Sequence, residues 1–324
     1  MRRLRFYVLA MGYPALLCAY GAGDAARTPA AFKAGGTEQR STGAQLPSDG
    51  SRPSAAPRAN VASDRRTLID SSNGNGRIYI ANHGDNTVRT YKKNGDRSSP
   101  TIVAGVNSPV GLAIDSAGKI YVGNAGSNTV TTYKPDGSRT APTIAAGLNG
   151  PYGLAVATTG RIYVANFGDG TVTVYRADGT RIPPTIRTGL DQPIGVAVDS
   201  SGKIYVANSG NNTVTTYSPD GKRIEPTITI GVRAPRDVAV DGSGTIYVAN
   251  AGTSSVTTYM ADGTRSSLTI HAGLKAPFGV ALDRHGTIFV GNYSGNNLTT
   301  YNNDGSRTSP TISGLSNPAA IGIR

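Results

Sequence analysis

The 324-residue sequence contains no tryptophan, one cysteine and three histidines. The cysteine, Cys18, lies near the N-terminus, so the rest of the chain has no thiol for a disulfide bond, a thiolate metal site or a nucleophile. Glu225 is the one glutamate beyond residue 38. No Gly-x-Ser-x-Gly elbow, phosphate-cradling loop or zinc-protease motif is present. These absences exclude thiol chemistry and argue against the common hydrolase classes.

What the sequence does contain is a repeat of 42 residues, and such a period marks a solenoid, propeller or array. Each copy has four short strand-like pieces, A to D, which in the second copy span 110–115, 119–124, 128–133 and 139–145. An Asx-Gly pair between C and D predicts a tight hairpin turn in every copy. We therefore predict an all-β, six-bladed β-propeller of four-stranded antiparallel blades. The copies begin at Gly76, Gly118, Gly160, Gly202, Gly244 and Gly286.

The repeated pattern P-x-G-[LV]-A-[VI]-D-x-x-G-x-I-Y-V-A-N resembles the NHL repeat and its relatives, which include YVTN-type repeats and streptogramin-lyase-like propellers. Trp-Asp repeats have a similar period, but the chain has no tryptophan and no Gly-His opening. The resemblance covers residues 66–324. It implies the propeller fold and leaves the function open, because the relatives include enzymes, sensor ectodomains and binding modules.

The N-terminal residues predict export. Residues 1–26 combine early arginines, an apolar run and small residues, the layout of a secretory signal peptide. Residues 27–65 are rich in Ala, Gly, Ser, Pro and Arg, which predicts a disordered tether. We expect a periplasmic or extracellular monomer, with membrane attachment only through an uncleaved signal or a lipid on Cys18. The net charge of +12 suits an acidic partner surface, but export argues against nucleic acid.

The two ends of the repeat region predict how the ring closes. Strand A has seven copies, because 67–70 and 319–324 both match it, whereas strands B, C and D have six. We expect the C-terminal copy to complete the first blade, with residues 66–70 displaced or marginally paired.

Three recurring residue types are interpreted as framework. Tyrosines in strands B and C are predicted to fill the space between blades, and an asparagine ending strand B is predicted to bond to local backbone rather than to a metal. An arginine two residues after the turn glycine is predicted to lie opposite the strand C tyrosine and stack on it, as for Arg139 and Tyr133. An anion-binding arginine ring is the alternative.

Four aromatic residues of the repeat region escape this framework: Tyr152, Phe167, Phe278 and Tyr293. They fall at the D-to-A and B-to-C connections of blades 3 and 6, which emerge on the same side of a propeller. They either cap their own blades or form an aromatic mouth that binds a ligand. The polar groups expected beside them are His83, Asp85, Asp169, Asn124, Asn208 and Arg236.

The pair Arg236-Asp237 replaces the x-Gly of four other copies and is expected to introduce two charges at the same rim. One interpretation is a local surface ion pair of little energetic value. The other is a specificity contact for a charged ligand.

The resemblance implies three enzyme types to test against these residues. Gluconolactonase-like propellers hold a divalent ion with Glu, Asn and Asp, peptide-amidating lyases use a metal with several histidines, and streptogramin lyases use His and Glu. None of these sets matches the chain, so we expect no cofactor. A divalent ion held by Asp85, Asp169 and the strand-end asparagines is a minor alternative.

Three functional hypotheses follow. The first is an exported, non-catalytic propeller that binds a small molecule, glycan or peptide at the aromatic rim. The second is a structural scaffold that binds envelope proteins. The third is a metal-assisted lyase or lactonase.

Overall fold

The computed structural model describes residues 76–324, which form six four-stranded antiparallel sheets. The predicted all-β fold of six four-stranded blades is therefore confirmed. The predicted signal peptide, the tether and residues 66–70 lie outside the described residues. Within the described part, no helix is long and apolar enough to cross a membrane.

The strands of the first three blades follow one another in chain order. Blade 1 takes β1 (Arg77–Asn82), β2 (Thr87–Lys92) and β3 (Arg97–Ile102). Blade 2 consists of β4 (Pro109–Ile114), β5 (Ile120–Asn124), β6 (Thr129–Tyr133) and β7 (Arg139–Ile144). Blade 3 consists of β8 (Pro151–Val156), β9 (Ile162–Asn166), β10 (Thr171–Tyr175) and β11 (Arg181–Ile186).

The second half of the ring repeats this order, with a short 3-10 turn at Ala251–Thr253. Blade 4 consists of β12 (Pro193–Val198), β13 (Ile204–Asn208), β14 (Thr213–Tyr217) and β15 (Arg223–Ile228). Blade 5 consists of β16 (Pro235–Val240), β17 (Ile246–Asn250), β18 (Ser255–Tyr259) and β19 (Arg265–Ile270). Blade 6 consists of β20 (Pro277–Leu282), β21 (Ile288–Asn292), β22 (Asn297–Tyr301) and β23 (Arg307–Ile312), and the final strand is β24 (Pro318–Ile323).

The C-terminal strand closes the ring. Strand β24 pairs antiparallel with β1, so the sheet of blade 1 runs β24-β1-β2-β3 and joins the last strand of the chain to the first described one. Arg77 and Arg324 exchange two backbone hydrogen bonds of 3.0 Å at the end of this pairing. The predicted closure by the C-terminal copy is confirmed.

Each inner strand carries a register shift near its start. In blade 2, Pro109 pairs with Asn124 but Gly111 pairs with Gly123, which leaves Val110 as an extra residue. All six inner strands show the shift, and such bulges redirect a side chain away from the regular pleat. The bulged positions are Val110, Tyr152, Ile194, Arg236, Phe278 and Ala319.

Tyrosines fill the space between neighbouring blades, as predicted. One cluster joins Tyr79 of blade 1 to Leu112 and Tyr133 of blade 2, and all three are buried. The strand C hydroxyl also donates to a carbonyl of the preceding blade, from Tyr133 to Ala104 at 2.7 Å. The same bond is made by Tyr175, Tyr217, Tyr259 and Tyr301. The tyrosines thus contribute both volume and hydrogen bonds to each blade interface.

The recurring arginines lie opposite these tyrosines in register, as in the Tyr133 and Arg139 pair. Among the described residues, however, the predicted stacking of guanidinium on phenol occurs only in blade 1, where Arg97 lies 5.5 Å from the Tyr91 ring centre. In every blade the guanidinium instead donates along its own strand to a threonine four residues on. The arginine ring is framework, with a different partner from the one predicted.

An aspartate after strand A supports the A-to-B turn in blades 2, 4 and 5. One oxygen of Asp115 accepts the N–H groups of Ala117 and Lys119, and the other accepts the Tyr121 hydroxyl at 3.1 Å. The same contacts recur at Asp199 and Asp241. The carboxylate therefore links the turn to the tyrosine of strand B.

Blade 6 modifies this arrangement at the junction with blade 1. Phe289 has no hydroxyl, and the carboxylate of Asp283 instead accepts a hydrogen bond of 2.8 Å from Lys93 of blade 1. Burial raises the pKa of Asp283, but the Lys93 ammonium and the turn N–H groups outweigh it and leave the pKa lowered. A salt bridge thus links blade 6 to blade 1 across the closure of the ring.

Candidate functional site

A narrow cavity of about 100 Å³, here called the axial channel, lies between the six inner strands. Its walls are largely Val, Leu, Ile, Gly and Ala, and its two charged lining residues are Arg236 and Asp237 of blade 5. The channel leaves little room. A Cβ atom on Gly111 would lie 2.2 Å from the carbonyl oxygen of Tyr152 in the next blade. Glycine at this repeated position therefore allows the inner strands to approach the axis.

Two groups of aromatic residues occupy the connections at one end of the channel. Tyr152 and Phe167 of blade 3 stack with ring centres 4.9 Å apart and planes at 27°. Phe278 and Tyr293 of blade 6 contact each other at 5.4 Å and 33°. All four rings are half-buried. We call this end of the channel, with these four rings, the channel mouth.

His83 of blade 1 extends the blade 6 group across the junction between blades 6 and 1. Its Nδ1 atom lies 3.1 Å from the Tyr293 hydroxyl, and the two ring centres are 5.8 Å apart. Burial lowers the pKa of His83, which favours the neutral imidazole. A neutral imidazole with its proton on Nε2 accepts a hydrogen bond from the Tyr293 hydroxyl at Nδ1. His83 thus supports the orientation of Tyr293.

Arg236 projects from the bulge of β16 toward the same groups. Its guanidinium carbon lies 5.5 Å from the ring centre of Phe278. Burial raises the pKa values of Tyr152 and Tyr293, and the Arg236 charge opposes this effect at both hydroxyls. After burial, the second effect that raises the pKa of Tyr293 is repulsion from the ionised form of Tyr152. Side chains of blades 3, 5 and 6 therefore share one electrostatic environment at the channel mouth.

Asp237 lies inside the axial channel, and its predicted position at the surface rim is wrong. Its carboxylate oxygens accept the N–H groups of Val238 at 2.9 Å and of Val280, on β20 of the next blade, at 3.0 Å. Water can reach part of the side chain along the channel, but protein surrounds the carboxyl group. Burial raises the pKa of Asp237 to about 7, although the two N–H groups act in the opposite direction.

The space for Asp237 comes from its neighbour in blade 4. A Cβ atom on Gly195 would lie 2.8 Å from an Asp237 carboxylate oxygen, so the small residue and the acidic one fit each other. The replacement of Gly by Asp was visible in the sequence. The sequence did not show that the Asp237 side chain lies inside the channel, because the rim and the channel interior are adjacent along the same strand.

The remaining predicted polar residues do not join the channel mouth through the contacts they make. Asp85 accepts the Thr87 hydroxyl at 2.7 Å and forms an ion pair with Arg89, and Asp169 accepts the Thr171 hydroxyl at 2.8 Å. Both stabilise their own turns.

Asn124 and Asn208 are fully buried, so the expectation that they serve a ligand at the rim is wrong. The amide of Asn124 donates to the Val122 carbonyl at 3.1 Å and accepts the Asn107 N–H at 3.0 Å, and Asn208 makes the equivalent bonds. The interpretation of these asparagines as backbone-binding framework is supported. Among the described residues, no three His, Cys, Asp or Glu side chains converge as metal ligands.

The comparisons with known proteins agree with this architecture. The family model of the NHL repeat matches residues 190–217. A search of the curated proteins found no match.

Several solved structures share the fold. A chain of a nidogen/laminin complex is 19% identical with a TM-score of 0.66, covering 76% of this chain and 98% of that one. A streptogramin B lyase is 16% identical with a TM-score of 0.60, covering 76% and 83%. Virginiamycin B lyase from Staphylococcus aureus is 15% identical with a TM-score of 0.52, covering 65% and 73%.

At these identities the structural likenesses establish the fold alone. They do not extend an activity or a partner to this chain. Together with the matched repeat and the six-bladed ring, they confirm the resemblance to NHL-repeat propellers that the sequence predicts.

Proposed function

We propose that the chain is a non-catalytic binding module that holds a small molecule, glycan or peptide at the channel mouth. The observation that carries this proposal is the convergence of two aromatic groups and Arg236 on one end of the axial channel. None of these side chains is required by the repeat. Equivalent positions in other blades carry Val110, Ile194 and Ala319 and close their blades equally well.

The chemistry of the channel mouth suits a ligand with a flat or ring-shaped face. Tyr152 and Phe167 offer one aromatic wall, and Phe278 and Tyr293 offer another across the ring. Arg236 adds a positive charge between them and favours an electron-rich or anionic substituent on the ligand. Concave sites that combine aromatic walls with a few polar groups are typical of small-ligand binding.

The test is a binding experiment on the purified full chain. Cell-wall glycans, peptides, lactones and divalent ions are screened for an increase in melting temperature, since a ligand that binds only the native state stabilises it. A ligand that shifts the melting temperature is then titrated by calorimetry. Loss of one stacking contact worth about 1 kcal/mol weakens binding about fivefold.

The decisive comparison uses a variant in which Tyr152, Phe167, Phe278 and Tyr293 are all alanine. We expect it to remain folded by circular dichroism and to lose the ligand response. Met260→Ala is the matched control, because Met260 is 56% exposed in a C-to-D turn at the opposite end of its blade. Equal responses in wild type and the four-alanine variant would refute the proposal.

A second candidate function is protein binding. A chain of a nidogen/laminin complex shares the fold, and on that basis we propose a protein partner as the alternative, with an envelope protein as the expected class. This function predicts contacts spread over the blade sides, with substitutions at the channel mouth silent in a capture assay. Export belongs to both proposals and is tested by fractionating cells that express the full chain.

A further inference from the structure

Blade 3 departs from the repeat at the end of its inner strand. Blades 2, 4, 5 and 6 have an aspartate there, whose carboxylate accepts two N–H groups of the A-to-B turn. Blade 3 has Ala157. The turn itself is unchanged, because Ala157 N–H donates to the Arg161 carbonyl and Gly160 N–H to the Ala157 carbonyl, both at 2.9 Å.

The donors that the aspartate would bind are therefore still in place. The N–H groups of Thr159 and Arg161 correspond to those of Ala117 and Lys119, but within residues 76–324 they donate to no acceptor, and Thr159 is exposed to solvent. The hydroxyl of Tyr163, equivalent to that of Tyr121, has no aspartate acceptor in this turn because residue 157 is alanine. The three donors that bind the aspartate carboxylate in blade 2 thus have equivalents in blade 3, where the aspartate is absent.

Two arginines flank this turn. Arg161 immediately precedes β9 and Arg176 immediately follows β10, so the register places them opposite each other. Like charges directly opposite each other on a sheet are destabilising. In blade 2, Lys119 and Lys134 are also opposite, and there the carboxylate of Asp115 is present in the turn.

The surface beside the turn is concave. A groove of about 550 Å³ is lined by Thr159, Gly160, Arg161, Arg176, Ala177, Ile182 and Pro183. The nearest acidic side chain along the chain, Asp178, is exposed; it accepts the N–H of Thr180 at 2.8 Å, and this bond and the Arg176 charge both lower its pKa. The groove thus combines two guanidinium groups with an apolar wall from Ile182 and Pro183.

We propose that the A-to-B turn of blade 3 is a binding site for a ligand carboxylate. The carboxylate takes the position of the missing aspartate group and accepts the N–H groups of Thr159 and Arg161 and the hydroxyl of Tyr163. Arg161 and Arg176 neutralise its charge. An apolar tail on the ligand lies in the groove along Ile182 and Pro183. This site is on the face opposite the channel mouth, so it does not depend on the function proposed there.

The test follows the melting temperature of the full chain in sodium formate against sodium chloride at equal ionic strength. Formate is the smallest carboxylate that fits beside the Ala157 methyl group. We expect a saturable, formate-dependent rise in wild type. Ala157→Asp restores the repeat's own carboxylate, so this variant should melt higher than wild type in chloride and lose the formate response. Butyrate should saturate at a lower concentration than formate because its tail contacts the groove.

Two further variants separate this site from a general salt effect. Asp115→Ala gives blade 2 the arrangement of blade 3, so its formate response should exceed that of wild type. Tyr163→Phe retains the fold and removes one donor, so a higher formate concentration should be needed.

An unchanged formate response in Ala157→Asp would overturn the proposal, as would no response in wild type. A response to phosphate but not to formate, abolished in Ala157→Asp, would overturn the assignment of the ligand as a carboxylate.

Discussion

The carboxyl group of Asp237 makes the stability of the propeller depend on pH. Its pKa rises from an ordinary 3.8 to about 7 in the folded chain, because the channel removes most of its water. Each pH unit by which a pKa is raised is worth about 1.4 kcal/mol, so ionisation of Asp237 opposes folding by at most about 4 kcal/mol. Water in the channel screens the charge and lowers this figure.

The direction follows from the two protonation states. Because the folded pKa lies above the unfolded one, the stabilising effect of the protonated group is complete below about pH 4 and is lost as the pH rises through about 7. The substitution Asp237→Ala removes this pH dependence. Alanine is already present at the equivalent position of blade 1, as Ala320. The variant should gain stability relative to wild type between pH 4 and 8, with a melting-temperature difference that changes by up to about 10 °C.

The assay compares the melting temperatures of the two proteins at matched pH values from 4.5 to 8. The melting-temperature difference between the two proteins is used because His83 changes stability with pH in the direction opposite to Asp237. Its pKa is lowered by burial, so its contribution increases as the pH rises through the unfolded value of 6.5. This contribution is common to both proteins and cancels. A difference that stays constant with pH would refute the placement of an ionisable Asp237 in the channel.

Three other predictions concern the framework. Deleting Pro318–Arg324 removes strand β24 from blade 1 and should lower the melting temperature markedly; an unchanged value in a thermal scan would contradict closure by this strand. Lys93→Met should cost about 2 kcal/mol in urea unfolding by removing a charged partner of Asp283, and adding Phe289→Tyr should recover part of it through the phenol used in other blades. Tyr133→Phe should cost about 1 kcal/mol in the same assay, because it loses the bond to a carbonyl of blade 1, whereas Tyr91→Phe should cost less.

The fold was predictable from the sequence because the repeat constrains it many times over. Spacing, turn glycines and paired tyrosines agree in every copy, and the surplus strand A predicted the closure. The arginines show the limit of this reasoning. Register placed Arg139 opposite Tyr133, but the tyrosine hydroxyl donates to Ala104 of the neighbouring blade and the guanidinium donates to Thr143 of its own strand.

The candidate site was predictable in part. The aromatic residues were identified because they depart from the repeat, and the ring topology placed them on one rim. The depth of Asp237 was not predictable, since one residue along a bulged strand separates the channel mouth from the channel interior. Asp85 and Asp169 looked available in the sequence, but a turn hydroxyl two residues on occupies each carboxylate.

The six copies act as controls for one another, and they separate two kinds of departure from the repeat. Because residue 289 is phenylalanine, no tyrosine hydroxyl donates to Asp283. Lys93 of the next blade donates to this carboxylate instead, so the change is compensated and structural. Ala157 leaves its turn donors without acceptors in the described chain, and nothing in the neighbouring blades replaces the carboxylate. Thr159 is exposed to solvent, and a carboxylate bound at this turn would replace water on these donors with charge-assisted hydrogen bonds. The uncompensated change at Ala157 is therefore the one that points to a binding site.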